Sequence, residues 1–285
     1  MRKSRSFVIA IANPKGGVAK TTSVVSLAGA LVRKGKEVLA IDLDAQANLT
    51  LALGKDPMKV RRTITDVLFD SASLDSGSLQ SDVPGLDLIP SNSSMFQVER
   101  FLPVRKNFET VLRRAIGGHA EFAPVLANEE PQQGPIYTHG IGQSHDHFYD
   151  FLLLDCPPSS GTIMLIALIA ADLLIIPTQP EYFSAWALRT MMKKIHDIRQ
   201  QYNPSLSYRI LITMFDRRSR VHESVLEQIR ATFGDCLFET VINMDTKLRE
   251  SERCGLPITH YDGRSRSALQ YESVAQELID YVRTK

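Results

Sequence analysis

The sequence predicts a doubly wound α/β fold, in which helices cover both faces of a mostly parallel sheet. Short apolar runs alternate along the chain with segments of helical periodicity, which is the order expected of repeated strand–helix units. Most of these runs are continuously apolar, as is typical of strands that are covered on both faces. With 285 residues, of which 44% are hydrophobic and 23% charged, the chain can bury a large core, and we interpret it as one domain over 1–285.

Eleven segments carry this prediction. The apolar runs bounded by loop residues are predicted as strands: Phe7–Ala12, Val38–Asp42, Leu86–Ile89, Phe151–Asp155, Leu173–Pro177 and Arg209–Met214. The segments whose apolar residues recur with a period near 3.6 are predicted as helices: Lys20–Lys34, Thr162–Ala171, Ser184–Tyr202, Val221–Phe233 and Ala268–Val282.

One segment does not fit this alternation. The stretch ending at His147 is rich in Gly, Pro, Gln and His and shows no clear period, so we expect a surface loop or insertion over 118–147. Its other histidines, His139 and His145, stand at spacings that match no established metal site, which favours a solvated loop.

Charge and cysteine content exclude several classes of protein. Lys and Arg number 33 and Asp and Glu 32, so the net charge of +1 excludes a histone-like polycation but leaves room for a local basic patch. The three cysteines, Cys156, Cys236 and Cys254, form no C-x-x-C pair, so neither a zinc site nor a disulfide framework is expected. The longest apolar stretch, 163–177, contains Asp172 and is shorter than the roughly 20 apolar residues of a bilayer span. We therefore expect a cytoplasmic protein without a membrane partner.

A glycine-rich segment, Asn13-Pro-Lys-Gly-Gly-Val-Ala-Lys-Thr-Thr22, follows the first predicted strand and leads into a helix. A loop between a strand and a helix N-terminus directs backbone N–H groups and a positive dipole end at one spot, where phosphate binds. Lys20 is expected to reach the β- and γ-phosphates of a nucleotide, and Thr21 to hold Mg²⁺. The standard pattern G-x-x-x-x-G-K-[ST] fails, because Pro14 and Ala19 occupy its two glycine positions.

The segment matches the variant K-G-G-x-x-K-T-[ST] instead, with an additional lysine at Lys15. In this variant the chain resembles the ParA/MinD family of deviant Walker A ATPases, which have a P-loop NTPase fold. The resemblance implies that ATP and Mg²⁺ are cofactors and that Lys15 and Lys20 both serve catalysis, Lys15 acting on the phosphates of a second subunit. It implies a nucleotide-binding loop made of Lys15, Gly16, Gly17, Val18, Ala19, Lys20, Thr21 and Thr22.

Three aspartates stand at predicted strand ends, where ligands bind in open α/β sheets. Asp42 and Asp44 belong to a segment that resembles the family's D-x-D-P-Q-x-N switch, and Asp155 opens one that resembles its D-C-P-P-S Walker B sequence. Taken singly, each acid is also compatible with a helix cap. The resemblance implies that Asp44 supports the attack of water on ATP, and that Asp42, Asp155 and Thr21 form the Mg²⁺ site.

The resemblance extends over nearly the whole chain and is strongest toward ParA/Soj-type partition ATPases. It implies that Met214 and Met244 lie near the adenine, although Asn243 and Met244 replace the Pro-Arg common in relatives. Ala19 replaces the usual glycine before the loop lysine, and its Cβ is expected to restrict the backbone.

The predicted DNA-binding residues are Arg217, Arg218, Arg220 and Lys247. In the resembling family, arginines at the positions of Arg218 and Lys247 bind DNA without sequence preference. The charges alone also fit a solvated face, because acids such as Glu223 and Asp245 are interspersed.

The resemblance thus implies an ATP-hydrolysing switch that forms an ATP-dependent homodimer, binds non-specific nucleoid DNA and drives chromosome or plasmid partition. A centromere-binding or cargo-adaptor protein would stimulate a slow hydrolysis. Two alternatives stay open: a positioning ATPase for a protein cargo, such as a microcompartment or receptor cluster, and a nucleotide-binding module whose hydrolysis Ala19 impairs. We expect no separate DNA-binding or membrane-targeting domain, because the first strand starts at Phe7 and the last helix runs nearly to Lys285.

Overall fold

The computed structural model describes residues 5–70, 74–117 and 148–285. The strands in these ranges are β1 Phe7–Ile11, β2 Val38–Asp42, β3 Leu79–Gln80, β4 Leu86–Ile89, β5 Phe151–Asp155, β6 Leu173–Thr178 and β7 Ser207–Ile212. The helices are α1 Lys20–Arg33, α2 Asn48–Ala52, α3 Ile64–Asp70, α4 Leu74–Gly77, α5 Met95–Phe101, α6 Val111–Ala115, α7 Thr162–Ala170, α8 Ser184–Gln201, α9 Arg220–Phe233, α10 Thr246–Arg253, α11 Ile258–Tyr261 and α12 Arg266–Arg283.

The strands form one sheet in the order β3-β4-β2-β5-β1-β6-β7. All neighbouring pairs are parallel except β3–β4, which is antiparallel. β1 lies between β5 and β6, and its chain crosses β5 through α1 to reach β2, so loops diverge at the carboxyl ends of these central strands. The register pairs Asp155 with both Ile11 and Asp42, which places the loop after β1 and two acids at one edge of the sheet.

Both faces of the sheet are covered, as its alternating burial shows. On β1, Val8 and Ala10 belong to a buried cluster that includes residues of α7, α8 and α9. Ile9 and Ile11 belong to a second cluster on the opposite face, with residues of α1 and α12. Every residue of β2, β5 and β6 is buried, which explains their continuous apolar sequence. The predicted doubly wound architecture is confirmed.

The predicted elements agree with the structure to within two residues at each end. The sequence missed β3 and the helices α2 to α6, α10 and α11, which have two to eight residues each and are too short to show a clear period. The predicted insertion over 118–147, with its histidines, lies outside the described residues. Across the ranges that the structure covers, no helix combines the length and apolarity needed to cross a bilayer.

Candidate nucleotide-binding site

The loop between β1 and α1 has the shape of an anion-binding turn. Gly17 and Ala19 both adopt the left-handed region, with φ of 73° and 62°. Glycine accepts this conformation freely, whereas the Cβ of an alanine makes it unfavourable by about 1–2 kcal/mol. Ala19 is also the N-cap of α1 and supplies no side-chain cap, so the first N–H groups of the helix are left to an anionic ligand.

Two hydrogen bonds to carbonyl oxygens of the loop, at Lys15 and Val18, stabilise its conformation. The Lys20 residue is buried, and its Nζ donates a hydrogen bond to the carbonyl oxygen of Lys15 at 3.0 Å. Burial lowers the pKa of Lys20, and the nearby Asp155 carboxylate opposes that shift. On the other side, the Thr213 hydroxyl donates to the carbonyl oxygen of Val18 at 3.1 Å, which ties the loop to the end of β7.

Thr21 and Asp155 meet at the mouth of this loop. The Thr21 hydroxyl donates to Oδ2 of Asp155 at 2.7 Å, while Oδ1 of Asp155 is buried without a hydrogen-bond partner. Burial raises the pKa of Asp155, and the neighbouring Asp42 raises it further. Hard divalent cations take oxygen ligands, so an unpartnered carboxylate oxygen beside a hydroxyl suits Mg²⁺. These residues fit the ion that the sequence predicted.

Asp42 organises the segment that follows β2. Its Oδ2 accepts hydrogen bonds from the backbone N–H and the hydroxyl of Thr50, at 2.9 and 2.7 Å, and its Oδ1 accepts the backbone N–H of Asp44 at 3.1 Å. Burial raises the pKa of Asp42 to about 6. Both of its oxygens are thus engaged within the protein, and its place in the Mg²⁺ site stays a prediction.

Asp44 is half-buried on the same segment. Its Oδ1 accepts the backbone N–H of Gln46 at 2.9 Å, and its carbonyl oxygen accepts the Ser91 hydroxyl at 2.7 Å. Ala47, which follows this turn, adopts a left-handed φ of 54°. Hydrogen bonds from the Asp44 N–H to Asp42 and from Ser91 to the Asp44 carbonyl oxygen therefore fix its backbone at both sides.

Lys15 points away from the loop that it belongs to. Its backbone N–H donates to Oδ1 of Asn13 at 3.0 Å, but its Nζ forms an ion pair with Glu181 in the loop between β6 and α8. Both side chains are partly exposed, at 39% and 43%. Motif analysis did not predict this pair, since its members are 166 residues apart.

A cavity of about 510 Å³ adjoins the loop at Ala19 and Thr22. Met214 and Met244 both line it, so the structure brings the two predicted base-contacting residues to the phosphate loop. Arg217, which the sequence predicted to bind DNA, lines this cavity as well.

Two of the other predicted DNA-binding residues are held by acids. Arg218 forms two hydrogen bonds with Asp216, from Nε to Oδ1 and from Nη2 to Oδ2, each at 3.0 Å. These bonds lower the pKa of Asp216 to about 2. Lys247 forms an ion pair with Asp262. Arg220 is the first residue of α9. The positive charge of Arg218 and Lys247 is thus partly compensated in the single subunit.

Comparison with known proteins agrees with this geometry. A family model described as an AAA domain matches residues 6–122 and 135–208. The chromosome partitioning protein ParA of Caulobacter vibrioides is 33% identical over 279 residues, which cover 98% of this chain and 96% of that protein. The chain belongs to the ParA/MinD family. The sporulation initiation inhibitor protein Soj of Bacillus subtilis is also 33% identical, over 95% of this chain and 97% of Soj.

Solved structures related to this ParA/MinD chain carry the expected cofactors. Cobyrinic acid a,c-diamide synthase from Mycobacterium smegmatis, with a bound ATP analog and magnesium, is 29% identical and has a TM-score of 0.74 over 98% of this chain and 96% of that one. The same enzyme is known with ADP and magnesium. ATP and Mg²⁺ are the cofactors of the present site, and the protein is a P-loop ATPase of the partition or positioning type.

Proposed function

We propose that the protein is an ATP-dependent dimerising switch that binds non-specific DNA and drives chromosome or plasmid partition in the cytoplasm, on the nucleoid. The observation that carries this proposal is the direction of Lys15, whose ammonium lies at the surface against Glu181 rather than in its own phosphate loop. A loop lysine in this position is able to reach phosphates that a second subunit presents.

Exposed aromatic side chains next to Glu181 support a dimer face here. Tyr182, Phe183 and Trp186 are 82%, 72% and 70% exposed. Aromatic residues at a surface are typical of protein interfaces, where they bury large areas with little loss of rotamer freedom. We call Lys15, Glu181, Tyr182, Phe183 and Trp186 the Lys15 face. In the proposed dimer a second copy covers it.

Hydrolysis in the proposed dimer uses the residues that surround the phosphate loop. Mg²⁺ supplies charge stabilisation and orientation at the phosphates, where Thr21 and Asp155 would hold it. Lys20 and the partner's copy of Lys15 would offset charge on the phosphates in the transition state, and Asp44 would orient the attacking water. We expect slow turnover that a centromere-binding or cargo-adaptor protein stimulates.

DNA binding is proposed to use Arg218, Arg220 and Lys247 from both subunits. Because Asp216 and Asp262 hold two of these cations, DNA phosphates would have to replace those carboxylates as partners. The same pairing favours a second candidate function, a positioning ATPase whose cargo is a protein body and whose matrix is not DNA.

The Lys15 face provides the direct test of the proposed switch. Lys15→Ala is expected to bind ATP with wild-type affinity but to lose most of its dimer, measured by light scattering with a non-hydrolysable ATP analogue. Lys59→Ala serves as the control, because Lys59 is 84% exposed and paired only locally with Asp56. A normal dimer with normal turnover in Lys15→Ala would refute the proposal.

A further inference from the structure

Arg217 lines the nucleotide cavity together with residues of the phosphate loop. Ala19 and Thr22 line the phosphate side of the cavity, and Met214, Ile242 and Tyr271 contribute apolar surface to its wall. Apolar walls with a few placed polar groups are typical of sites for flat, partly polar ligands such as a nucleobase. Arg217 and Asn243 are among the polar residues of its lining, together with Arg218, Arg249 and Arg266.

The guanidinium of Arg217 is held in one orientation. Its Nε donates to Oδ1 of Asn243 at 3.1 Å. Asn243 is only 3% exposed, and its backbone N–H donates to Oε1 of Gln270 at 3.2 Å. Main-chain hydrogen bonds on both sides of Asn243, between Phe215 and Ile242 and between Met244 and Phe215, fix its backbone. A side chain positioned in this way keeps its remaining N–H donors in a fixed fork.

Arg217 differs from its neighbour in how its charge is placed. Arg218 is 90% exposed and forms a two-point ion pair with Asp216. Arg217 is exposed as well, but within the described ranges no carboxylate is within ion-pair distance of it. Both arginines line the cavity, but Arg218 is bound to Asp216, whereas the Nη groups of Arg217 are available to a ligand there.

We propose that Arg217 is a base-recognition residue: its guanidinium donates a hydrogen bond to an acceptor atom of the purine of the bound nucleotide, and Asn243 and Gln270 position it. The inference rests on the ATP-binding part of the proposed function and is independent of dimerisation and DNA. It assigns Arg217 to the nucleotide rather than to the DNA-binding set that the sequence predicted.

The chemistry of arginine sets the selectivity of this contact. A guanidinium has hydrogen-bond donors only, so it can donate to ring nitrogens or a carbonyl oxygen but cannot accept from the amino group of adenine. Adenine and guanine both present the N7 acceptor, and guanine adds O6 beside it. The contact therefore strengthens binding of ATP and of GTP alike, relative to a ligand that has phosphates and no base.

The test compares Mg·ATP, Mg·GTP and Mg·tripolyphosphate by calorimetry on the full chain. Arg217→Ala is expected to weaken ATP and GTP about tenfold, the usual effect of losing one hydrogen bond to a charged group, and to leave tripolyphosphate unchanged. Arg217→Lys keeps the charge but lacks the fork, and is expected to lose nearly as much. Arg283→Ala is the matched control: Arg283 is 72% exposed, pairs with Asp280 and does not line the cavity, so this variant should bind all three ligands as the wild type does.

Asn243→Ala and Gln270→Ala examine the positioning role by a second route. Each is expected to weaken ATP less than Arg217→Ala does, and neither should add to the loss when combined with it. Thermal unfolding of every variant shows whether the fold is retained. If Arg217→Ala does not fold, the ATP affinity of Gln270→Ala, at a half-buried position, tests the inference instead.

The outcomes separate the inference from the proposed function. Equal losses for ATP and tripolyphosphate would mean that Arg217 acts through charge alone and would overturn the inference. Unchanged ATP affinity together with weaker DNA binding would return Arg217 to the DNA surface. Failure of the wild type to bind any of the three ligands would overturn the nucleotide site itself, whereas failure only of dimerisation would leave this inference intact.

Discussion

At Ala19 a single methyl group works against the shape that the phosphate loop needs. The sequence indicated that a Cβ at this position would restrict the backbone, and the structure shows Ala19 in the left-handed conformation at φ 62°. The loop keeps its anion-binding form nonetheless, with Lys20 closed over it through the Lys15 carbonyl oxygen. Interactions elsewhere in the fold therefore offset the free energy of this strain.

Ala19→Gly is therefore expected to stabilise the protein. Relief of about 1–2 kcal/mol of strain outweighs the 0.4–1 kcal/mol that the greater freedom of glycine adds to the unfolded state, for a net gain of about 0.5–1 kcal/mol. Urea unfolding without nucleotide measures it. Ala231→Gly, at an exposed position inside α9, should have the opposite sign, with a loss of about 1 kcal/mol. A destabilised Ala19→Gly would show that the Cβ makes contacts that outweigh its strain.

Asp44→Ala tests the residue that is proposed to orient water. Its backbone is anchored through Asp42 and Ser91, so removal of the carboxylate should leave the segment in place. We expect ATP affinity within about twofold of wild type, hydrolysis reduced by at least about tenfold, and a long-lived ATP dimer. Single-turnover assays of phosphate release measure this. Unchanged hydrolysis would transfer the role to another group, with Asp42 the next candidate.

At the scale of elements, the sequence predicts the strands and helices that have a clear hydrophobic pattern, but it misses contacts between segments that are distant along the chain. The six strands and five helices with clear patterns are present, and the phosphate loop and strand-end acids lie where strand order places them. β3 and the short helices depend on packing rather than on their own pattern. The pairs Lys15–Glu181 and Arg217–Asn243 join residues 166 and 26 positions apart, and motifs read one segment at a time do not contain them.

The first turn of α8 gives a prediction about the Lys15 face. Trp186 is 70% exposed, so Trp186→Ser should leave the unfolding free energy of the single subunit nearly unchanged. If a second copy buries this side chain, the dissociation constant of the ATP-dependent dimer should rise about tenfold or more. Analytical ultracentrifugation with a non-hydrolysable ATP analogue measures both species. Leu269→Ser, at a 54% exposed apolar position on α12, is the control. Equal dimerisation of both variants would exclude Trp186 from the interface.

At the scale of the whole molecule, carboxylates set how much positive charge the protein offers to DNA. The chain carries a net charge of only +1, and two of its predicted DNA contacts are paired with Asp216 and Asp262. Non-specific DNA binding depends on the number of phosphates that cations neutralise. Whether the molecule uses DNA as its matrix therefore depends on whether these two cations leave their carboxylates.

Replacing both carboxylates by amides decides between the partition and protein-cargo functions. In Asp216→Asn with Asp262→Asn, the amide oxygen still accepts the backbone N–H groups that now bind Oδ1 of each aspartate, so the turns should persist. Arg218 and Lys247 lose their ion-pair partners. If DNA is the matrix, ATP-dependent affinity for non-specific DNA should rise about tenfold at moderate salt, and the slope of log affinity against log salt should steepen. Asp56→Asn is the matched control, because Asp56 likewise accepts a backbone N–H and pairs with Lys59.

The opposite variant, Arg218→Glu with Lys247→Glu, should lose ATP-dependent DNA binding while keeping its dimer. If neither double variant changes DNA affinity over the salt series, the basic residues serve another partner, and the protein-cargo function becomes the better account of the same ATPase.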